Sequence, residues 1–155
     1  YGADNTPEPS HRGGVIRNNV FIRTASQVGD VGIMLTNSPG TVVAHNTIVL
    51  SGTYPNGIEF RYAGTAGAVI ANNLTDAAIT SRDGGTATLD HNLEHTALGM
   101  LPRVEAADAH LAADDTMAAD HGVLMERVSD DWDGDARPVG AAVDIGADER
   151  GPEGR

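Results

Sequence analysis

The sequence predicts an all-β chain folded as a parallel β-solenoid of about four coils with a C-terminal closing segment. Three observations carry this. A short motif recurs: Ile16-Arg17-Asn18-Asn19, Val43-Ala44-His45-Asn46, Ile70-Ala71-Asn72-Asn73 and Leu89-Asp90-His91-Asn92. Its Asn column (19, 46, 73, 92) and its aliphatic column (16, 43, 70, 89) both step by 27, 27 and 19 residues. Between copies a second element recurs as Gly32-Ile33-Met34-Leu35, Gly57-Ile58-Glu59-Phe60 and, more weakly, Ala78-Ile79-Thr80-Ser81. The runs are short, rich in β-branched residues, alternate with period two and are bounded by Gly and Asn, which is strand patterning. A fixed period of 20–50 residues signals stacked units that cannot bury their apolar faces alone.

Each coil follows from this pattern. Residues 1–13 carry Pro7, Pro9 and Gly13 and read as a lead-in loop. Coil one covers about 14–40, with Ile16, Asn19, Phe21, Ile33 and Leu35 inward and a polar loop over 23–30. Coil two covers about 41–67, with Val43, Asn46, Ile48, Ile58 and Phe60 inward and a turn at Ser51–Asn56. Coil three is shortened, from Ala68 to about Thr86, and turns at Arg82-Asp83-Gly84-Gly85. Coil four starts at Leu89 and Asn92 and is expected to continue through strands around Val104 and Leu111. Asp114–Ala119 reads as a short helical turn with Asp114 or Asp115 as its N-cap. Val143–Ala147 is expected as a last strand stacked on the final coil. In domain terms the solenoid runs over 14–149, with 105–149 as its cap and 150–155 as tail.

Asn19, Asn46, Asn73 and Asn92 are expected to form a structural ladder. Asn tolerates the left-handed backbone that tight corners need, and stacked amides satisfy each other's donors and acceptors. The terminal coils each lack a neighbour and present strand edges that template pairing. End-to-end self-association, or a longer array, is therefore expected at the N-terminal end. The first residue is Tyr1 and the repeat is running by Val15, so the chain reads as the C-terminal part of a longer or processed protein.

The formal charge is −12, from 22 acidic against 10 basic residues, and every base is Arg. Such a surface is a poor partner for nucleic acid or an anionic membrane. No apolar run approaches the ~20 residues of a membrane span. There is no Cys, so neither disulfide nor thiolate chemistry is available.

The repeat resembles the right-handed parallel β-helix proteins of the pectate-lyase-like superfamily, whose turn reads I-x-x-N-x-I. The C-terminal stretch Asp131-Trp132-Asp133-Gly134-Asp135-Ala136-Arg137-Pro138 with Val143-Asp144-Ile145-Gly146-Ala147-Asp148-Glu149 resembles the closing D-x-D-G-x-x-R-P … D-I-G-A-x-E signature of secreted, choice-of-anchor-type β-helix proteins. His110–Ala113 and Met117–Gly122 resemble the coil that precedes it, with Thr116 and Met117 where that family has Ser-Pro. The resemblance covers about residues 14–149. It implies an extracellular or cell-surface protein that binds or processes polysaccharide, including uronate-containing polymers. A non-catalytic, adhesin-like surface β-helix is the alternative.

Candidate chemistry follows. Alternation along Gly57–Arg61 puts Ile58 and Phe60 inward and turns Glu59 and Arg61 to solvent. Their neighbours are expected to be Met34 and Thr36 on one side and Ala78 and Thr80 on the other. Glu59 and Arg61 are the catalytic candidates, with Tyr54 and Tyr62 as substrate-binding residues. Hydrolysis needs two carboxyl groups across the bond, and Asp30 or Asp83 is the second candidate. Lyase chemistry needs a cation and a base; Arg61 supplies the first, and Tyr54, Tyr62 or a His the second. Asp131, Asp133 and Asp135 are candidate Ca²⁺ ligands. They do not make an EF-hand, because counting from Ser129 puts Gly140 where the bidentate Glu belongs. The alternative is an Asp-rich turn with Arg137 paired to one carboxylate. His45 and His91 share one column but stand two coils apart, about 9.6 Å, too far for one metal ion. Trp132 is a candidate sugar-stacking residue or a cover for the core.

Overall fold

A computed structural model describes residues 8–9, 11–96 and 98–151. Ten short strands form three parallel sheets: β1 (Val15–Arg17), β2 (Val20–Ile22), β3 (Ile33–Thr36), β4 (Val42–Ala44), β5 (Thr47–Val49), β6 (Asn56–Arg61), β7 (Ala68–Ala71), β8 (Leu74–Thr75), β9 (Ala78–Arg82) and β10 (Ala87–Asp90). The sheet orders are β1-β4-β7-β10, β2-β5-β8 and β3-β6-β9. The chain thus visits the three sheets in a fixed cycle, and each pass lays its strands on those of the previous pass. Among the described residues helix is confined to two 3-10 turns, Leu98–Met100 and Val104–Ala106.

The registers reproduce the sequence columns. Ile16 pairs with Val43, Val43 with Ile70, and Ile70 with Leu89. Inward residues of all three sheets, including Leu35, Val43, Ile48, Ile58 and Ile70, form one core and are essentially inaccessible. Leu89 keeps the register but is 45% exposed, because β10 is the last strand of its sheet. The glycines before the inward aliphatic residues have a packing reason. A Cβ at Gly57 would collide with the Thr75 hydroxyl, and one at Gly32 would lie 2.7 Å from Ile48 Cγ2.

Asn19 gives both its backbone N–H (3.0 Å) and its Nδ2 (2.9 Å) to Asn46 Oδ1. Asn46 does the same to Asn73 Oδ1 (3.1 and 2.8 Å), and Asn73 to Asn92 Oδ1 (2.9 and 2.9 Å). The remaining amide hydrogens go to strand carbonyls, as from Asn46 to Ile16 and Ala44. Asn46 and Asn73 are wholly buried. One expectation is corrected here. The left-handed residue is not the ladder Asn but the one before it: Asn18 (φ 55°), His45 (53°), Asn72 (55°) and His91 (45°). Asn and His are among the residues that best tolerate this region, which accounts for the alternation of Asn and His in that column. A second corner, after β3, β6 and β9, places Asn37, Tyr62 and Asp83 at positive φ.

The C-terminal segment departs from expectation. Val143–Ala147 forms no strand, and neither do the surroundings of Val104 and Leu111. Asp114–Ala119 is not helical; Asp115 Oδ2 instead accepts from the N–H groups of Ala118 and Ala119 and closes a turn. The segment runs along the flank of the sheets and does not stack on the last pass. Met100, Leu101, Val104, Leu111 and Ile145 pack on Val49 and Leu74, the outward residues of the β2-β5-β8 sheet. The left-handed column serves as the rail for this docking. Asn18 Nδ2 donates to Asp130 O (2.7 Å), His45 Nδ1 bonds Asp144 O (3.1 Å), and Asn72 exchanges bonds with the Val123 backbone (2.7 and 2.9 Å). Arg17 pairs with Asp130. Alternation cannot foresee this, because outward residues of a strand have no assigned partner until a distant segment covers them. The expectations for residues 1–7, 10 and 152–155 lie outside the described residues.

Candidate functional site

The outer face of the β3-β6-β9 sheet gathers the residues that the sequence singles out. On β6, Glu59 pairs in register with Met34 on one side and Thr80 on the other, and Arg61 with Thr36 and Arg82. The Met34 and Thr36 neighbours are as expected. On the far side the partners are Thr80 and Arg82, because β9 runs on to Arg82 and a bulge at Gly57 lets Asn56 take Ala78. Arg82 therefore joins the face, although the repeat alignment ends one residue short of it.

Glu59 is not solvent-facing: it is 1% exposed. The turn leading into β6 folds back over it. Tyr54 donates its hydroxyl to Oε1 (3.1 Å), Asn56 Nδ2 donates to Oε1 (2.7 Å), and Arg82 Nη1 reaches both oxygens (3.0 and 3.2 Å). A buried carboxylate must be paired and hydrogen-bonded to persist, and three donors supply that here. Asn56 is itself held by Thr80, whose hydroxyl donates to Oδ1 (2.9 Å).

Glu59 and Arg61 do not pair. Arg61 turns to the corner residue Asp83 and forks its Oδ2 through Nε (2.9 Å) and Nη2 (2.7 Å). The guanidinium also lies 5.2 Å from the centroid of the Tyr62 ring. The two ion pairs hold Arg61 and Arg82 firmly protonated, Arg61 chiefly through Asp83 and Arg82 chiefly through Glu59. Burial, together with the neighbouring carboxylates of Glu59 and Asp30, pushes the Tyr54 phenol above its ordinary range. Tyr54 thereby keeps its proton and donates it in a hydrogen bond to Glu59.

The acidic loop is built differently. Asp131 Oδ1 accepts from the N–H groups of Asp133 (3.1 Å), Gly134 (2.9 Å) and Asp135 (2.8 Å), and Oδ2 from that of Glu149 (3.0 Å). Asp133 faces His110 (3.3 Å), and Asp135 is exposed. Among the described residues, no group of three or more His, Cys, Asp or Glu side chains is placed to hold a metal ion. His45, with Nε2 2.8 Å from Asn72 Nδ2, and His91, beside Asp90, stand apart.

Sequence reasoning missed one cluster. His110 lies between Asp108 (Nδ1, 2.5 Å) and Asp133, against the edge of Trp132 (centroids 5.2 Å apart). Asp108, His110 and Asp133, with Arg103, line an opening of about 460 Å³. Burial alone would lower the His110 pKa, but the hydrogen bond to Asp108 and the charges of Asp148 and Asp133 hold it above the usual value. The Asp108–His110 spacing is the only sequence signal for this cluster, and it means little until residues 133 and 148 are folded beside it.

No known protein family, curated protein or solved structure matches the chain. Its architecture stands on its own coordinates: all-β, parallel strands in three stacked sheets, and no helix among the described residues long and apolar enough to cross a membrane.

Proposed function

We propose that the chain is a right-handed parallel β-helix of the pectate-lyase-like kind. In this reading it is secreted or held at the cell surface, and it binds or processes polysaccharide along the outer face of β3-β6-β9. The three-sheet cycle, the Asn column and the D-x-D-G-x-x-R-P and D-I-G-A-x-E stretches support the fold assignment. The function is supported by one observation above all. Glu59, on the outward side of a strand, is buried under three half-buried donors, Tyr54 and Asn56 of its own pass and Arg82 of the next. Nothing in the packing of the core calls for a carboxylate there, and convergent polar groups on the outer side of a sheet suit a polymer of hydroxyls.

A non-catalytic surface role, adhesin-like, is the second reading. It is favoured by the mutual pairing of Glu59 with Tyr54, Asn56 and Arg82, which suits a static binding face.

A glycan array followed by calorimetry on the hits tests the proposal. Binding is expected, and Arg82→Ala, which uncovers Glu59, should weaken it at least about tenfold. No binding to any glycan by a folded chain would overturn the proposal. Product release from a bound oligosaccharide would separate processing from plain binding.

A further inference from the structure

We infer that the ligand of this face is a neutral glycan, not a uronate polymer; the inference rests on the reading of the face as a glycan site. A uronate is recognised through a guanidinium fork or a free cation. The forked edge of Arg61 is already occupied, and Arg82 is tied to Glu59 through Nη1. Arg61 presents its Nε/Nη2 edge, the edge that takes a carboxylate, to Asp83 Oδ2 at 2.9 and 2.7 Å. Arg82 presents Nη1 to both oxygens of Glu59 and lies 3.5 Å from the Tyr54 hydroxyl. The remaining Arg61 nitrogen, Nη1, is directed at Met34 Sδ, 3.9 Å away.

The charges point the same way. Asp30, Glu59 and Asp83 stand against Arg61 and Arg82, three acids to two bases, in a chain of formal charge −12. An anionic polymer would have to displace Asp83 from Arg61 and then remain beside three carboxylates.

The groups that remain suit hydroxyls. Asp83 has a side chain 43% exposed, and its Oδ1 takes no hydrogen bond among the described residues. Asp30 is exposed beside the turn that carries Tyr54. Carboxylate oxygens accept hydrogen bonds from sugar hydroxyls. The Tyr62 ring, half-buried in the same corner column as Asp83, offers an apolar surface of the kind that suits a sugar face. Asp83 thus acts as a built-in occupant of the carboxylate position and sets specificity against acidic sugars.

The test is calorimetry of the full chain with matched oligosaccharides that differ only at C6: a glucan and a glucuronan, then a galactan and a galacturonan. Each is measured at about 50 mM and about 500 mM salt. A neutral member is expected to bind with an affinity that salt leaves unchanged, and its uronate counterpart at least about tenfold more weakly at low salt. Asp83→Asn should raise uronate affinity about tenfold at low salt and, because it replaces a carboxylate acceptor by a weaker amide one, should not strengthen binding of the neutral ligand. Asn tolerates the left-handed backbone at this corner, so the variant should fold. A uronate, or an amino-sugar oligomer, that binds more tightly than the neutral glycan would overturn the inference and leave the glycan reading standing. If no member of any series binds, both fall.

Discussion

The Arg137 guanidinium meets the Glu149 carboxylate at 2.8 Å, with both side chains fully buried. Arg137 also donates to four backbone carbonyls, of Asp130, Asp144, Gly146 and Ala147 (3.2, 3.2, 3.0 and 2.7 Å). Glu149 accepts in addition from the N–H groups of Val139 (2.7 Å) and Asp144 (2.9 Å). This one pair organises the segment that clasps the flank of the sheets. An ammonium has three donors and no fork, so Arg137→Lys should fail to replace it. The expected loss is about 1–3 kcal/mol, because the charge stays but buried carbonyls lose their donors, read from urea denaturation. A loss under about 1 kcal/mol would mean that the clasp is held elsewhere.

Asn46→Ala removes the acceptor of both Asn19 donors and the side-chain donor to Asn73 Oδ1, while the backbone N–H at position 46 can still reach that oxygen. Burial leaves no water to replace them, so about 1–3 kcal/mol should be lost. Asn19→Ala, at the half-buried start of the column, should cost less. Equal costs would show that the column does not act through burial.

Asp148 is buried, and desolvation raises its pKa to about 6. A raised carboxyl pKa means that the folded state holds a proton between about pH 4 and 6 that the unfolded state has released. Stability therefore falls as pH rises through that window. Asp148→Asn removes the ionisation and can keep an oxygen for the Leu111 N–H, which now donates to Oδ2 (2.8 Å). The variant should gain about 1–3 kcal/mol over the parent at pH 8 relative to pH 4, on the scale of about 1.4 kcal/mol per pKa unit. Denaturation curves at the two pH values check the sign.

His45 moves in the opposite direction. Burial, with the Arg137 charge behind it, lowers its pKa to about 3. The folded chain excludes a proton that the unfolded chain accepts below about pH 6.5. Its contribution is complete above that pH and is lost as pH falls toward 3, up to about 4–5 kcal/mol in all. In an NMR titration the His45 ring should not respond above about pH 4, whereas His110 should titrate above the usual histidine range. A His45 midpoint near neutrality would show that the ring is not sealed between Asn72 and Asp144.

Over the repeats the strands and the ladder column were legible in the residues, because each depends on short-range periodicity, whereas the strands expected around Val104, Leu111 and Val143–Ala147, outside the repeat, do not form. Period-two alternation assigns Val43, Ile58 and Ile70 to the inside, and a repeat spacing of 27 brings Asn19, Asn46 and Asn73 into one line. The fate of outward residues was not legible. Alternation places Glu59 outside, but only a turn folding back with Tyr54 and Asn56, and an adjacent pass supplying Arg82, decide that it is buried. Arg61 finds Asp83 in place of Glu59 for the same reason: its partner lies 22 residues away and reaches it only through the stacking of passes. The left-handed column was visible as Asn18, His45, Asn72 and His91, yet its use as a rail for residues 123–146 depends on contacts across 51 to 112 residues. The sequence by itself determined what every pass shares, since a repeat carries its own local rule. The tertiary structure alone decided what lies between passes and over them, because those contacts join side chains that no local pattern relates.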